Sequence, residues 1–425
     1  MQNQHFHHYL CRPKAAWEIN MKIKFILPGF KNMHSREFKS IMFRYWFPSL
    51  TIPILAALTS KNYEISFDDE VFDEINFNED FDLVAISAMT AQVIRGYQIA
   101  DYYRSKGIKV IMGGVHASVL PEEALQHADC VMIGEAELIW SQMLHDFENG
   151  SLKRVYKAGC FVDMKEIPRA DRSIFNGKTR PVHGTVNSIQ ATRGCPYNCK
   201  FCSVTNFFGN TYRYRDVDDI IDEICTLDMT KEICFVDDNI YGNREYAKKL
   251  FKEIGELGIR WSGQGNITLA KDDELLDLCT KSGCSGLLMG IESINEKNLE
   301  SINKKSNNVN EYLDSIKKIQ DRGIKILGSF IFGLEEDTPD TFEKTLRFIE
   351  NAEIALPAFN ILTPYPGTQI ANMLQKENRI ISYDWSDYTA TKTVFQPKNM
   401  TVDELDKGYK WIYSAVHDNI NLKQL

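Results

Sequence analysis

The stretch of sequence that decides the fold is Ser188-Ile-Gln-Ala-Thr-Arg-Gly-Cys-Pro-Tyr-Asn-Cys-Lys-Phe-Cys202. Its first five residues read as a short strand, and the three cysteines after them have the spacing C-x3-C-x2-C. Thiolates are the usual protein ligands of iron–sulfur clusters. Three thiolates in one loop can hold three irons of a 4Fe-4S cluster and leave the fourth iron open to a small chelating molecule. We therefore expect Cys195, Cys199 and Cys202 to hold such a cluster at the end of a strand.

Two other interpretations of the triad are weaker. A structural zinc site needs a fourth ligand and more often shows paired C-x2-C knuckles. A disulfide framework belongs to oxidising compartments, whereas the first twenty residues lack the apolar region of a secretory signal and a cytoplasmic location is expected. The other seven cysteines are scattered, mostly in apolar stretches, as is typical of buried and inert thiols.

Composition narrows the class of protein further. The chain has 425 residues, of which 44% are hydrophobic and 25% charged, as in ordinary globular proteins of two to three domains. The net charge is −9 and there is no long basic block, which argues against nucleic acid as the main partner. No apolar run approaches the roughly 18 residues that a transmembrane helix needs. We expect a protein that does not span a membrane.

Downstream of the triad, short apolar strands alternate with helices. This pattern predicts a partial (β/α)6 TIM-type barrel over residues 187–375, with its chemistry at the carboxyl ends of the strands. Its predicted helix Asn310–Asp321 carries Leu313, Ile316 and Ile319 on an apolar face. A C-terminal segment, 376–425, contains a helix near Val402–Val416. The expected barrel strands are Ser188–Thr192, Glu232–Asp237, Arg260–Gly265, Gly286–Ile291, Ile326–Phe332 and Ala358–Leu362.

Upstream of the triad, a second alternating pattern predicts a doubly wound parallel sheet, a Rossmann-like α/β domain, over residues 21–150. It is preceded by an N-terminal extension, 1–20, and followed by a linker, 151–186, that shows no sustained period. Ligands of such sheets bind beyond the carboxyl ends of the strands. The expected strands are Lys22–Pro28, Tyr63–Phe67, Asp82–Ser87, Lys109–Met112 and Cys130–Ile133, and the expected helices are Phe47–Leu58, with Pro53 in its first turn, and Ala91–Ser105.

The triad resembles the signature of the radical S-adenosylmethionine (radical SAM) superfamily, including the aromatic Phe201 before its last cysteine. The resemblance implies that the methionine part of SAM chelates the open iron. It also implies that an electron, supplied by an external donor such as flavodoxin or ferredoxin, cleaves SAM to a 5′-deoxyadenosyl radical that abstracts hydrogen from a substrate. No catalytic residue beyond the cluster ligands is assigned.

Later segments fall where that superfamily binds SAM. The run Phe235-Val-Asp-Asp-Asn239 stands where a motif often contacts the methionine amine, and Gly328–Glu336 resembles the GxIxGxxE motif, with Ser329 at the position of its first glycine. The residues expected to contact SAM on this resemblance are Phe201, Asp237, Asp238, Gln264, Glu292, Ile331, Gly333 and Glu336.

The upstream domain resembles the cobalamin-binding domain of cobalamin-dependent radical SAM enzymes, nearest to hopanoid-methylase-like and uncharacterised members. The resemblance rests on Gly113-Gly-x-His-x-Ser118 and Gly134-Glu-x-Glu137. The chain lacks the Asp-x-His-x-x-Gly motif whose histidine binds cobalt in other cobalamin proteins, so cobalamin without a histidine ligand is expected, and an empty, degenerate domain is the alternative. The residues expected at cobalamin are Pro28, Ser87, Met89, Thr90, Gly113, Gly114, His116, Ser118, Gly134, Glu135 and Glu137.

The leading functional hypothesis is methylation of an unactivated carbon in a small molecule or lipid, with methylcobalamin supplying the methyl group and a second SAM recharging it. Cyclisation, rearrangement or carbon–carbon coupling with the same cofactors is the alternative. A methylthiotransferase is less expected, because the upstream domain holds only Cys130 and cannot supply ligands for a second cluster. A non-enzymatic cofactor-binding protein remains a further hypothesis. Tyr365, Trp385 and Tyr388 are candidates for an apolar pocket or for ordinary packing.

Overall fold

The fold is seen in a computed structural model that describes residues 21–31, 49–175 and 186–417. The predicted N-terminal extension, the end of the predicted linker, and Phe47 and Pro48 lie outside the described residues. Among the residues that are described, no helix is both long and apolar enough to cross a membrane.

The upstream region forms a six-stranded parallel sheet in the order β2-β1-β3-β4-β5-β6. The order reverses between β1 and β3, which is where ligands of doubly wound sheets bind. The strands are β1 (Met21–Leu27), β2 (Tyr63–Asp69), β3 (Leu83–Ser87), β4 (Lys109–Gly113), β5 (Cys130–Ile133) and β6 (Val155–Lys157). The helices are α1 (Thr51–Leu58), α2 (Val93–Ser105), α3 (Val115–Val119), α4 (Pro121–His127) and α5 (Trp140–Glu148).

Helices cover both faces of this sheet, because each face of its strands is apolar. Residues of α2, α3 and α4 form one core with Ile26, Val84 and Met112. Residues of α1 and α5 form a second core with Phe25 and Ala85 on the opposite face. Alternate residues of one strand thus enter different cores, as the two-residue period of a strand requires.

The downstream region forms a second parallel sheet of six strands, in the order β14-β13-β12-β11-β10-β7, and a short antiparallel ribbon of β8 and β9. The strands are β7 (Val186–Ile189), β8 (Thr192–Arg193), β9 (Arg213–Tyr214), β10 (Glu232–Phe235), β11 (Trp261–Gly265), β12 (Cys284–Glu292), β13 (Lys325–Phe332) and β14 (Leu356–Ile361). The helices are α6 (Val204–Phe208), α7 (Val217–Cys225), α8 (Arg244–Gly255), α9 (Asp273–Lys281), α10 (Glu296–Ser301), α11 (Tyr312–Gln320), α12 (Thr341–Asn351), α13 (Gln369–Lys376) and α14 (Val402–His417).

The predicted α/β fold class is confirmed, with differences in detail. The first barrel strand ends at Ile189 rather than Thr192, because Thr192 and Arg193 pair with β9 instead. The predicted linker contributes β6, which pairs with β5. Such a three-residue edge strand is too short to show a period in the sequence.

The apolar face of α11 also differs from the prediction. Ile316 and Ile319 are buried, but Leu313 is 48% exposed. The buried face is centred on Tyr312, whose ring is fully buried and whose hydroxyl donates to the Ile291 carbonyl at 2.9 Å. Because its hydroxyl has a hydrogen-bond partner inside the core, Tyr312 takes the place on the buried face that the sequence pattern gave to Leu313.

The C-terminal segment contacts the upstream domain. A turn of 3-10 helix at Trp385–Asp387 packs against α2, and the indole nitrogen of Trp385 donates to Glu123 Oε1 at 2.9 Å. At the same face, Lys31 Nζ lies 2.8 Å from Asp384 Oδ2. These contacts attach the C-terminal segment to the upstream domain.

Candidate active site

The cysteine loop follows β8 directly and is fixed at its start by Gly194. That glycine has φ +84°, and a Cβ on it would lie 2.4 Å from the Thr211 carbonyl oxygen, so only glycine fits. Its N–H donates to Asp238 Oδ2 at 3.1 Å. Further along the loop, Asn303 Nδ2 donates to the Asn198 carbonyl at 2.6 Å. The backbone that presents the cysteines is thus held from both sides.

Cys195, Cys199 and Cys202 line one cavity of about 360 Å³ at the carboxyl ends of the barrel strands. Burial raises the pKa of all three thiols, that of Cys202 to about 12. Thiolates in such surroundings need the positive charge of a metal centre, which deprotonates its thiol ligands. In a cluster each thiolate binds its own iron, so the sulfurs need not converge on one point. Among the described residues no group of three His, Cys, Asp or Glu side chains does converge on one ion. Three thiols on the wall of one cavity, each able to bind an iron of its own, fit a cluster.

Charged groups face the thiols across this cavity. Lys304 Nζ lies 2.9 Å from Glu292 Oε1, and both side chains are largely buried, at 13% and 7% exposure. Burial lowers the pKa of Lys304, but the Glu292 carboxylate together with the nearby Cys199 and Cys202 raises it by more, so the net pKa is raised. Glu292 has φ 64° and sits where the pairing of β12 with β13 shifts register. Backbone strain of this kind persists where the surrounding structure holds it, often at functional sites.

Five of the eight residues predicted to contact SAM line the cavity of the cysteines. They are Phe201, Asp238, Gln264, Glu292 and Ile331. The cavity thus combines the three cysteines with acceptors and a cation, which suits the ammonium and carboxylate groups of SAM.

Asp237 does not line the cavity, although it is adjacent to Asp238. Its side chain is fully buried and accepts hydrogen bonds from the Thr192 hydroxyl at 2.6 Å and the Ala191 N–H at 3.2 Å. Burial raises the pKa of Asp237 to about 7. The residue holds the chain that enters the cysteine loop, which is a structural position.

Gly333 and Glu336 also lie outside the cavity wall. The Gly333 N–H donates to Asp337 Oδ2 at 2.9 Å, and the Glu336 N–H donates to Asn298 Oδ1 at 2.9 Å. This second half of the GxIxGxxE-like segment therefore shapes the loop after β13, and only Ile331 of its matched positions faces the cavity.

Several cavity residues were not predicted as SAM contacts. Asn239 is 2% exposed, and its Oδ1 accepts from Asn266 Nδ2 at 3.4 Å. Asn239 ends the run Phe235–Asn239, so its place in this motif could have predicted it as a SAM contact. No sequence feature could have predicted Lys304, because it lies in a loop between α10 and α11. The further polar lining comes from Tyr197, Asn266, Ser329, Asn360, Thr363 and Tyr365.

A second cavity, of about 450 Å³, opens at the carboxyl ends of β1, β3, β4 and β5. Most of its lining is apolar, and glycines let a flat ligand approach the backbone. Gly114 has φ +93°, and a Cβ there would lie 2.7 Å from the Ala88 carbonyl oxygen. These features fit a corrinoid. Of the predicted cobalamin contacts, seven line this cavity: Ser87, Met89, Gly113, Gly114, Gly134, Glu135 and Glu137.

The other four predicted cobalamin contacts do not line it. The His116 ring is buried against Trp385, with Nε2 3.4 Å from Glu123 Oε1. The Ser118 hydroxyl donates to the Gly114 carbonyl at 2.8 Å and accepts from the Gly134 N–H at 3.0 Å, so it joins the two glycine turns from behind. The Pro28 carbonyl accepts from Gln92, and Thr90 is buried at the start of a 3-10 turn.

The two cavities adjoin across the short helix α6. Val204, its first residue, lines the cavity of the cysteines, and Phe207 and Phe208, at its end, line the second cavity. Barrel residues Gln190 and Arg193 also reach the second cavity. The arrangement brings the cavity of the cysteines and the second, mostly apolar cavity to one boundary between the domains.

Comparison with known proteins agrees with this geometry. The family model described as the radical SAM superfamily matches residues 189–349, and that of the B12 binding domain matches residues 54–143. Bacteriochlorophyllide d C-12(1)-methyltransferase of Chlorobaculum tepidum is 32% identical over 85% of this chain and 80% of its own length. Hopanoid C-2 methylase of Rhodopseudomonas palustris is 26% identical over 79% of this chain and 66% of its own.

Among solved structures, the cobalamin-dependent S-adenosylmethionine radical enzyme OxsB, with aqua-cobalamin and S-adenosylmethionine bound, has a TM-score of 0.71. The match covers 96% of this chain and 70% of OxsB at 13% identity, and it concerns the fold.

The cysteine triad in its barrel and the upstream sheet with its own cavity define an enzyme of the radical SAM class. The chain belongs to the cobalamin-dependent radical SAM family, as its sequence predicted. Its cofactors are a 4Fe-4S cluster, SAM and cobalamin, and its relatives support a C-methyltransferase.

Proposed function

We propose that the enzyme transfers a methyl group to an unactivated carbon of a small molecule or lipid that binds between the two cavities. The observation that carries this proposal is the position of α6, whose two ends line the two cavities. A substrate carbon at this boundary can meet a radical from one side and a methyl donor from the other. The cofactors supply a 5′-deoxyadenosyl radical and a transferable methyl group when they are bound.

The protein's own residues would bind and orient these groups. Cys195, Cys199 and Cys202 would hold the cluster. Asp238 and Glu292 offer acceptors for the SAM ammonium, and Lys304 offers a cation for its carboxylate. Phe201 and Ile331 give this cavity apolar walls that exclude water from a radical reaction.

On the corrinoid side, the described lining of the cavity contains no histidine, so cobalamin would bind through shape and backbone contacts. The glycines Gly113, Gly114 and Gly134 would let its ring lie close to the strand ends. An external one-electron donor such as flavodoxin or ferredoxin would reduce the cluster. Such chemistry requires a reducing compartment, and we propose that the enzyme acts in the cytoplasm.

The test begins with anaerobically purified protein supplied with iron, sulfide and hydroxocobalamin. About four irons and one cobalt per chain are expected from the proposed stoichiometry. Reduced enzyme is then incubated with SAM carrying a trideuterated methyl group and with metabolite and lipid extracts of the source organism. A product that gains the intact labelled methyl supports the proposal. A product altered without the label would contradict methyl transfer, and iron without cobalt would contradict the corrinoid site.

A further inference from the structure

Four largely buried charged side chains meet where the second cavity, called the corrinoid cavity below, borders the loop of Cys195, Cys199 and Cys202, called the cluster loop below. Glu135 Oε1 lies 2.9 Å from Arg193 Nη1, and Glu135 Oε2 lies 2.9 Å from Arg213 Nη1. Glu137 Oε1 lies 2.6 Å from Arg193 Nη2. The exposure of these side chains is 1% for Glu135, 7% for Arg193, 11% for Glu137 and 16% for Arg213. Two carboxylates and two guanidinium groups balance in charge.

The contacts account for both oxygens of Glu135. Besides the two arginines, Oε2 accepts the Val162 N–H at 2.9 Å, and Arg213 Nη1 also donates to the Val162 carbonyl at 2.7 Å. A carboxylate whose acceptors are taken by protein donors is suited to hold structure in place. Its role therefore differs from that of a ligand-binding group, although it borders the corrinoid cavity.

The elements that carry these side chains belong to different domains. Glu135 and Glu137 follow Gly134 at the end of β5, and Gly134 has φ 86°. Arg193 and Arg213 face each other in the β8–β9 ribbon. Arg193 is two residues before Cys195. The network thus ties the rim of one cavity to the segment that begins the cluster loop.

We propose that Glu135 is a positioning residue that fixes the cluster loop relative to the corrinoid cavity through Arg193 and Arg213. The inference rests on one part of the proposed function, namely that the 4Fe-4S cluster and cobalamin occupy the two cavities. Buried charge pairs are directional, and removal of one partner leaves a buried charge uncompensated. The ion pairs therefore set one relative placement of the two sites, and a short-range radical transfer depends on such placement.

The variant that tests the inference is Glu135→Gln, which keeps the shape and removes the charge. A matched control is Glu223→Gln. Glu223 is 2% exposed and also lies between two arginines, with Arg172 Nη2 at 2.8 Å and Arg215 Nη1 at 2.6 Å, but it lines neither cavity. Both variants are loaded with iron–sulfur cluster and cobalamin. The readouts are the spin–spin splitting between cob(II)alamin and the reduced cluster by EPR, and the Kd of hydroxocobalamin.

The splitting depends on the distance and orientation of the two centres. In Glu135→Gln we expect a changed or broadened splitting and a roughly tenfold weaker Kd, whereas Glu223→Gln retains both wild-type values. Wild-type values in Glu135→Gln, or the same change in both variants, would overturn the positioning role. If Glu135→Gln does not fold, Glu137→Gln removes one ion pair only and carries the same expectation. Failure of the proposed function is a separate outcome. It would appear as wild-type protein that binds no cobalt, and metal analysis of the wild type alone reveals it.

Discussion

Lys304 Nζ lies 2.9 Å from Glu292 Oε1 inside the cavity that the three cysteines line. The pair brings a cation from the loop after α10 to a carboxylate at the strained end of β12. Because both side chains are largely buried, each charge stabilises the other, and double substitution can measure this mutual dependence.

We predict that Lys304→Met strongly destabilises the protein, because it leaves the Glu292 carboxylate buried without its cation. Breaking a buried pair in this way costs about 3–5 kcal/mol. The double variant Lys304→Met/Glu292→Gln should recover much of this loss, since it leaves no single charge. Thermal unfolding of the cluster-loaded proteins measures the difference, and equal melting temperatures in the single and double variants would contradict the pairing.

The cysteine ligands give a second prediction. Cys199→Ala should lose the cluster and reductive SAM cleavage, because one iron loses its thiolate. Cys234→Ala is the matched control, since Cys234 is 1% exposed in the barrel and lines neither cavity. It should keep its iron and lose about 1 kcal/mol of stability, a typical cost of a point substitution. Iron analysis and EPR of the reduced proteins distinguish the two, and an intact 4Fe-4S cluster in Cys199→Ala would rule out the ligand assignment.

Substitution by alanine should have different effects at Gly113 and Gly114, two adjacent glycines that line the corrinoid cavity. At Gly114 a Cβ would clash with the Ala88 carbonyl and φ is +93°, so Gly114→Ala should cost about 1–3 kcal/mol or more and lower the melting temperature. At Gly113 a Cβ meets only Met132, at 3.8 Å, so Gly113→Ala should fold normally. Because Gly113 lines the cavity, its variant should bind hydroxocobalamin more weakly in a spectroscopic titration. Unchanged affinity would place the corrinoid away from this strand end.

His116 makes the stability of the upstream domain depend on pH. Its side chain is fully buried and burial lowers its pKa, although the neighbouring Glu123 opposes this effect. The unfolded chain, with a histidine pKa of about 6.5, therefore binds the proton first as the pH falls. The contribution of neutral His116 to the free energy of unfolding is therefore fully present above that pH. It declines as the pH falls below it, by up to about 1.4 kcal/mol over the first pH unit.

The measurement compares wild type with His116→Gln by urea unfolding between about pH 7.5 and pH 5.5. Tyr97, Trp385 and Glu123 surround the ring in both proteins, so the difference between the two profiles isolates the imidazole. We expect the wild type to lose more stability on acidification than the variant. Parallel profiles would show that His116 is not held neutral by the fold.

The class of enzyme follows from the sequence by itself. The spacing of Cys195, Cys199 and Cys202 is a local property, because ligands of one cluster that lie within eight residues need no distant part of the chain to be recognised. The strand and helix periods are local as well. They therefore predict both sheets, with strand ends misplaced by only a few residues, except for the short edge strand β6, which lay in the predicted linker.

Tertiary structure alone decided which of the expected residues face the cavities. Asp237 and Asp238 are neighbours of one type, yet only Asp238 lines the cluster cavity, because successive side chains after a strand point to opposite sides. His116 is turned into the packing of Trp385, a residue 269 positions away in sequence, and Glu135 is turned toward Arg193 and Arg213. Lys304 reaches the cavity of the thiols from a loop that carries no motif. The period of a helix or strand indicates side-chain direction only within that element. Side-chain direction in loops and long-range charge pairing depend on how distant elements pack, and the local pattern does not contain them.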